Sequence, residues 1–245
     1  MICPLAKTSG LLFMVDRGNF GYFFRSLNNK SHGYSIVEDP TNLAPVKMVE
    51  VFEVRPGDCG KQSDWNDCET DRERSELSSK GNNYSGDEYW YGWSIYFPED
   101  YPNVYPTKTA LGQFHQKNSH PVWMFENSDG GYNLEDQVRH VEYKLIDERE
   151  LRGKWHRIEV QVKWSLSKEG YLRVWVNGVQ KADYSGPTMT VREIYFKYGV
   201  YRSFVSRYKD KFDVDQVPTQ KIYYANVRRG NSRKSLQSPS SLLRL

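Results

Sequence analysis

The sequence lacks any long apolar run; the longest clean one is Leu11 to Val15, with Asp16 and Arg17 directly after it. Such a run cannot span a bilayer, and charged residues stand where a signal-peptide cleavage site needs small ones. No targeting segment is readable, and no membrane partner is expected. Net charge is small too: 34 Lys and Arg against 31 Asp and Glu leave +3. Zinc-finger, P-loop and RNP spacings are missing, so no nucleic-acid partner is expected. There are three cysteines, which cannot all pair within one chain, and neither a second cysteine pair nor a suitably spaced histidine is there to build a zinc site. Cys59 and Cys68 flank the loop GDCGKQSDWNDCE. Paired, they would pin it against the strand that follows; otherwise they are two unrelated thiols.

Aromatic residues, by contrast, are abundant: 18 Tyr, 7 Trp and 11 Phe, 15% of 245 residues. Such rings fill β cores or stack on the C–H faces of sugars, and composition does not separate the two uses. A mean hydropathy of -0.77 and this length fit one large domain with a substantial core. Period-two alternation, bounded by Gly, Pro, Asn and Asp, runs from about residue 46 to 229. It predicts strands over Val46–Val54, Arg72–Ser78, Tyr89–Phe97, Ala110–Gln116 and Val122–Glu126. Further strands are predicted over Trp155–Trp164, Tyr171–Val176, Glu193–Tyr201 and Lys221–Val227. The SKEG segment and Asn177-Gly178 read as hairpin turns. The expected fold is all-β: a single-domain β-jelly roll, a concanavalin-like sandwich of two antiparallel sheets with an open concave cleft. That domain is expected over 31–230. Residues 1–30 read as an extension, and the Ser-rich, basic 231–245 as a disordered tail.

Strand parity places polar clusters. Gln113 and His115 share a face opposite Phe114, and Arg72, Arg74 and Glu76 share another, where the carboxylate can hold an arginine. Tyr195, Lys197, Gly199 and Tyr201 project together, opposed by Ile194, Phe196, Tyr198 and Val200, and the glycine is read as leaving room above the sheet. In Trp155–Trp164 the even-numbered positions form a core face, and Arg157, Glu159, Gln161 and Lys163 a wet one. Taken singly, each cluster is what any half-exposed strand presents. His32, His120, His140 and His156 carry no further signal.

In chain order, Arg74-Ser75-Glu76-Leu77, Gln113-Phe114-His115 and Tyr195-Phe196-Lys197-Tyr198-Gly199-Val200-Tyr201 resemble the three motif strands of jelly-roll polysaccharide lyases. The alginate lyases of this fold carry R-x-E-L, Q-[IV]-H and Y-F-K-A-G-x-Y. The surrounding segments, among them YWYGWSIYFPEDY, GKWHRIEVQVKWS and NVRRG, look closer still to the heparin lyase I-like and glucuronan lyase group. The resemblance spans roughly residues 34–230. Tyr198 stands where the alginate pattern has a small residue and Phe114 where it has an aliphatic one, departures that weigh against alginate more than against a lyase.

The resemblance implies β-elimination on a uronate polymer, glucuronan first and alginate second. A lyase of this kind removes the proton at C5 and expels the oxygen at C4. Arg74 and Gln113 suit neutralisation of the uronate carboxylate, and His115 and Tyr201 suit proton transfer. A basic Tyr201 needs nearby positive charge, which Lys197 or Arg74 would provide. In glucuronate and mannuronate the two departing groups are syn, so Tyr201 can serve as base and then acid. In guluronate they are anti, and His115 becomes the base. Lys197, Arg72 and Tyr195, with Arg157 and Gln161, are candidate substrate-binding residues.

Two other classes stay open. A jelly-roll glycoside hydrolase would use two carboxylates from Glu76, Glu159 and Glu193, and a non-catalytic carbohydrate-binding module would use the aromatics alone. No cofactor is required. Structural calcium is conceivable at Asp58, Asp64, Asn66, Asp67, Glu69 and Asp71, although no EF-hand spacing occurs. A monomer acting on an anionic polysaccharide outside the cell is expected.

Overall fold

The alternation takes physical form in strands that the computed structural model describes across residues 15–27, 30–62 and 65–237. In chain order they are Phe23–Ser26 (β1), Tyr34–Glu38 (β2), Met48–Val54 (β3), Lys61–Gln62 (β4), Trp65–Asn66 (β5) and Arg72–Ser79 (β6). Next come Asn83–Tyr84 (β7), Glu88–Tyr96 (β8), Lys108–Gln116 (β9), Pro121–Asn127 (β10), Tyr132–Asp136 (β11) and Val141–Ile146 (β12). Trp155–Lys163 (β13), Tyr171–Val176 (β14), Val179–Ser185 (β15), Glu193–Ser203 (β16) and Gln220–Gly230 (β17) complete the set. Two short helices, Glu148–Leu151 (α1) and Val205–Phe212 (α2), interrupt them. No helix among the described residues is long and apolar enough to cross a membrane.

Apart from β4 and β5, which pair only with each other, the strands form two antiparallel sheets, as a β-jelly roll requires. One runs β1-β6-β16-β9-β10-β11-β12, with β7 also on β16; the other runs β15-β14-β13-β8-β17-β3-β2. All three motif strands therefore lie side by side, β16 between β6 and β9. Leu77, Phe114, Phe196 and Val200 point from them into the core, against Tyr91, Trp93, Ile158 and Ile222 of the second sheet. Most rings are spent here, many edge to face: Tyr91 on Phe114, Phe114 on Trp164 and Trp93 on Phe125, each with centroids 4.9 Å apart.

Both chain ends reach further into this body than the sequence boundaries place them. Of the expected extension, residues 23–26 form β1 on β6, and Gly18 bridges Arg229 of the NVRRG segment. Arg17 goes deepest. It is buried and paired with Glu50 at 2.5 Å, and Tyr34 and Tyr198 donate their hydroxyls to the same carboxylate at 2.7 and 2.8 Å. Arg17 also donates to the Tyr198 hydroxyl. At the other end Arg233 pairs with Glu159 at 2.7 Å and Leu236 packs on Gly92, while residues 238–245 lie outside the described ones.

A buried ion pair broken on one side leaves an uncompensated charge, a loss of about 3–5 kcal/mol. Glu50→Gln is therefore expected to destabilise the fold by about that amount, and Tyr198→Phe, which removes one neutral donor, by about 1 kcal/mol. Urea unfolding measures both. A Glu50→Gln protein as stable as the parent would mean that the Arg17 segment is not part of the cooperative fold.

Candidate active site

The side chains that point away from the core on β6, β16 and β9 converge on one carboxylate. Glu76, on β6, receives Lys197 Nζ at 2.6 Å from β16, Gln113 Nε2 at 2.6 Å from β9 and Arg74 Nη1 at 3.3 Å from its own strand. Register explains the meeting: Lys197 lies opposite Gln113 on one side and Ser78 on the other, and Gly199 opposite Glu76. All four side chains are buried, Gln113 at 1% exposure and Glu76 at 2%. The expected neutralisers Arg74 and Gln113 are thus aimed at an anion of the protein itself.

Above this layer lie the more accessible groups. Tyr201 sits over Arg74, whose guanidinium carbon is 4.2 Å from the ring centroid, and Lys197 Nζ is 6.0 Å from the same ring. His115 stacks on Tyr195 with centroids 5.2 Å apart. Its Nδ1 is 2.8 Å from the Gln116 carbonyl oxygen, which can only accept, so Nδ1 carries the proton and Nε2 the lone pair. Burial and the Lys197 charge push the imidazole down to about 4. Tyr201 moves the other way. Burial raises its phenol above the usual 10, outweighing the downward pull of Arg74 and Arg72. The cations expected to make Tyr201 basic are in place, but they do not prevail.

Arg72 lies at the rim, its guanidinium 5.4 Å from the Trp65 ring centroid and 5.7 Å from that of Phe204. Tyr195 is held neutral, pushed up to about 12 chiefly by burial and next by Glu76. Arg157 and Gln161 are not brought to this cluster. They lie on β13 in the other sheet, where Arg157 faces Glu159 at 3.7 Å and Gln161 donates to Glu88 at 3.1 Å; parity gives a wet face but not which sheet owns it. The hydrolase carboxylates are likewise scattered: Glu159 pairs with Arg233 and Glu193 with Lys117.

Three further sequence readings change. Gly199, at φ 133°, does not open room above the sheet; a Cβ there would come within 2.3 Å of the Ser75 carbonyl oxygen and 2.8 Å of the Phe52 ring, so the constraint lies in the backbone and core. Phe114 and Tyr198 both point into the core, so neither departure from the alginate pattern bears on substrate. The acidic loop is engaged by protein donors. Asp71 accepts from the backbone N–H and hydroxyl of Ser206, Asp58 meets His32 at 2.6 Å, and Asp67, wholly buried, holds Arg74 through two bonds of 2.7 and 2.6 Å. Asp64 lies outside the described residues, and no group of three or more His, Cys, Asp or Glu among those described could hold a metal ion. Cys59 and Cys68 pair. Asp67, singled out in the sequence only as one carboxylate of a conceivable calcium loop, is the residue whose place in this site, on Arg74, sequence reasoning missed.

A family model described as polysaccharide lyase matches residues 24–228. Among solved structures, an endo-β-1,4-glucuronan lyase from the fungus Trichoderma reesei superposes with a TM-score of 0.65 at 16% identity, over 90% of this chain and 95% of that one. An alginate lyase of polysaccharide lyase family 7 gives 0.56 at 15%, over 83% and 82%. An alginate lyase from Corynebacterium sp. gives 0.53 at 13%, over 85% and 92%. A comparison with curated protein sequences finds no match.

The His115 environment is directly measurable. Titration by ring-nitrogen NMR is expected to find Nδ1 protonated, Nε2 free and a midpoint near 4, against about 6.5 for an unperturbed histidine. Lys197→Ala removes a positive neighbour that disfavours imidazolium, so the midpoint should rise. A midpoint unmoved from 6.5 in the parent would refute the buried neutral imidazole.

Proposed function

The chain belongs to the polysaccharide lyase family, and we propose that it cleaves a polyuronate internally by β-elimination, with polyglucuronate as the substrate and alginate as the second candidate. One observation carries the reading: two proton carriers on one sheet face have environments that drive their proton affinities apart. His115 is neutral with a free lone pair at Nε2, and Tyr201 holds its proton. These environments support His115 as the base and Tyr201 as the acid. His115 takes the C5 proton, and Tyr201 delivers its own to the departing C4 oxygen.

We prefer this division to the single-tyrosine route expected for a syn substrate, because burial raises the Tyr201 phenol above the usual 10 and favours its protonated form. Syn geometry itself still suits the site. When the C5 hydrogen and the C4 oxygen share one side of the ring, a chain laid on this face offers both to groups rising from it. The T. reesei glucuronan lyase, which shares the fold over nearly its full length, supports polyglucuronate. Alginate is favoured by the Gln113-x-His115 and Tyr195 to Tyr201 motifs and by the family 7 fold match.

Charge must also be met as it develops on the uronate carboxylate. Lys197 gives one of its three hydrogens to Glu76, and Gln113 one of its two. The substrate carboxylate takes the remaining donors, with Arg72 at the rim, and no cofactor is invoked. The Cys59–Cys68 disulfide supports action in an oxidising, extracellular setting, and the chain is read as a monomer.

A panel of polyglucuronate, polymannuronate and polyguluronate, read by the absorbance of unsaturated uronate and by product mass, tests the class and the sugar together. Absence of new unsaturated ends on any polyuronate would defeat the lyase reading. Tyr201→Phe and His115→Asn should each lower kcat by about 10²–10⁴-fold on a syn substrate with the fold intact. If His115→Asn retained substantial activity there, Tyr201 would have to be the base. Gln113→Ala should lower kcat more than it raises KM. The acid limb of kcat/KM should fall near pH 4, because loss of the Nε2 lone pair follows His115 protonation, with activity maintained through neutrality.

A further inference from the structure

Arg74 is held between two groups of opposite character. On one side Asp67 grips its Nε and Nη2 at 2.7 and 2.6 Å; on the other the Tyr201 ring lies 4.2 Å from the guanidinium carbon. Asp67 is saturated with donors. Trp65 Nε1 reaches Oδ1 at 2.9 Å and the Gly60 N–H reaches Oδ2 at 3.3 Å, and the whole residue is at 0% exposure. A two-point grip fixes both the position and the plane of a guanidinium, so the aspartate determines which face Arg74 presents to the ring.

The loop carrying Asp67 gains its shape from a covalent closure. Cys68, next in sequence, is bonded to Cys59 with Cα atoms 5.2 Å apart, nine residues away. Around it the backbone is tied down: the Asp67 N–H donates to the Gly60 carbonyl at 2.9 Å, and the Arg74 N–H to the Asp58 carbonyl at 2.8 Å. Three short links therefore run in series, from disulfide to Asp67, to Arg74, to the face of Tyr201.

We propose that Asp67 is a positioning residue for the proton transfer of Tyr201, acting through Arg74, and that the Cys59–Cys68 disulfide holds it in that place. The proposal rests on Tyr201 being the acid. An aromatic ring packed on a guanidinium has one favoured placement, and a proton donor displaced by about 1 Å costs about 10²-fold in rate. Cys68 is exposed, so a small dithiol can reach the bond. Reduction transfers two electrons and two protons to the disulfide, giving two thiols, while the dithiol closes to its own cyclic disulfide.

The test uses the full chain and polyuronate kinetics, with circular dichroism and thiol counting to follow fold and redox state. Asp67→Asn, isosteric but uncharged, should lower kcat by about tenfold to a hundredfold with KM within about threefold, and should move the alkaline limb of kcat. Asp67→Glu keeps the charge and should recover part of the loss. A packing role predicts the reverse order, with Asn harmless and Glu harmful, and that outcome overturns the proposal. Dithiothreitol should slow the parent as Asp67→Asn does and add nothing to that variant. An equal further loss in the variant would place the disulfide's effect elsewhere. If the reduced chain unfolds, the two oxidised Asp67 variants decide alone. Tyr201→Phe is run beside them: full activity there overturns the acid assignment and this proposal with it, whereas an inactive Tyr201→Phe beside a fully active Asp67→Asn overturns this proposal only.

Discussion

The arrangement of the site depends on the burial of the Glu76 carboxylate. A carboxylate at 2% exposure is costly to bury without donors, and these come from β6, β9 and β16. The requirement fixes register as firmly as the hydrophobic core does. A slip of one residue in any of the three strands would send Glu76, Gln113 or Lys197 into the sandwich and bring Leu77, Phe114 or Phe196 out. One carboxylate thus keeps the outer face of the sheet in a single geometry, and Tyr201 and His115 inherit that geometry from the strands they share with Lys197 and Gln113.

A second buried ion pair works on the opposite side of β16. Lys197 points outward to Glu76, and its neighbour Tyr198 points inward to Glu50 and Arg17. Next along the strand, Gly199 lets the backbone press against Ser75 and Phe52 where a side chain would collide. Three consecutive residues therefore fasten the strand to the cleft side, to the core side and to its neighbour β6. The N-terminal segment is part of that fastening, since Arg17 supplies the positive charge in the core.

Much of this was legible as periodicity. Strands with one apolar face, such as β13 and β16, announce themselves within a residue or two of their ends. The missed ones have physical reasons. In β11 nearly every residue is buried on both faces, and β15 is an edge strand exposed almost throughout, so neither shows clean alternation. The same limit governs the site. Parity finds Gln113 with His115 and Arg74 with Glu76 because those pairings are local to a strand. It is blind to Arg157 and Gln161 lying in the other sheet, a fact of topology, and to Asp67 reaching Arg74, a fact of loop closure. Nor does parity set proton affinity: cations lie near Tyr201 as the residues foretold, yet the direction of its shift is decided by how deeply the fold buries it.

The charge layer beneath Tyr201 is balanced: Asp67 and Glu76 are countered by Arg74 and Lys197. Such a layer cannot attract a polyanion by net field, since its fields largely cancel beyond the layer. On the proposed reading, what it would offer a polyuronate is preorganised donors, already oriented by Glu76 and costing no reorganisation as charge moves onto the substrate carboxylate. Glu76 then has two effects in opposition. It holds the donors ready, and it repels a second carboxylate brought close to them. As the C5 proton leaves, electron density moves from C5 onto the substrate carboxylate, so the repulsion by Glu76 and the pull of the Lys197 and Gln113 donors grow together, and the donors have to outweigh Glu76. On the proposed reading, the site speeds elimination to the extent that those donors gain more than Glu76 loses between the bound polymer and the transition state, and that difference is the one that raises turnover.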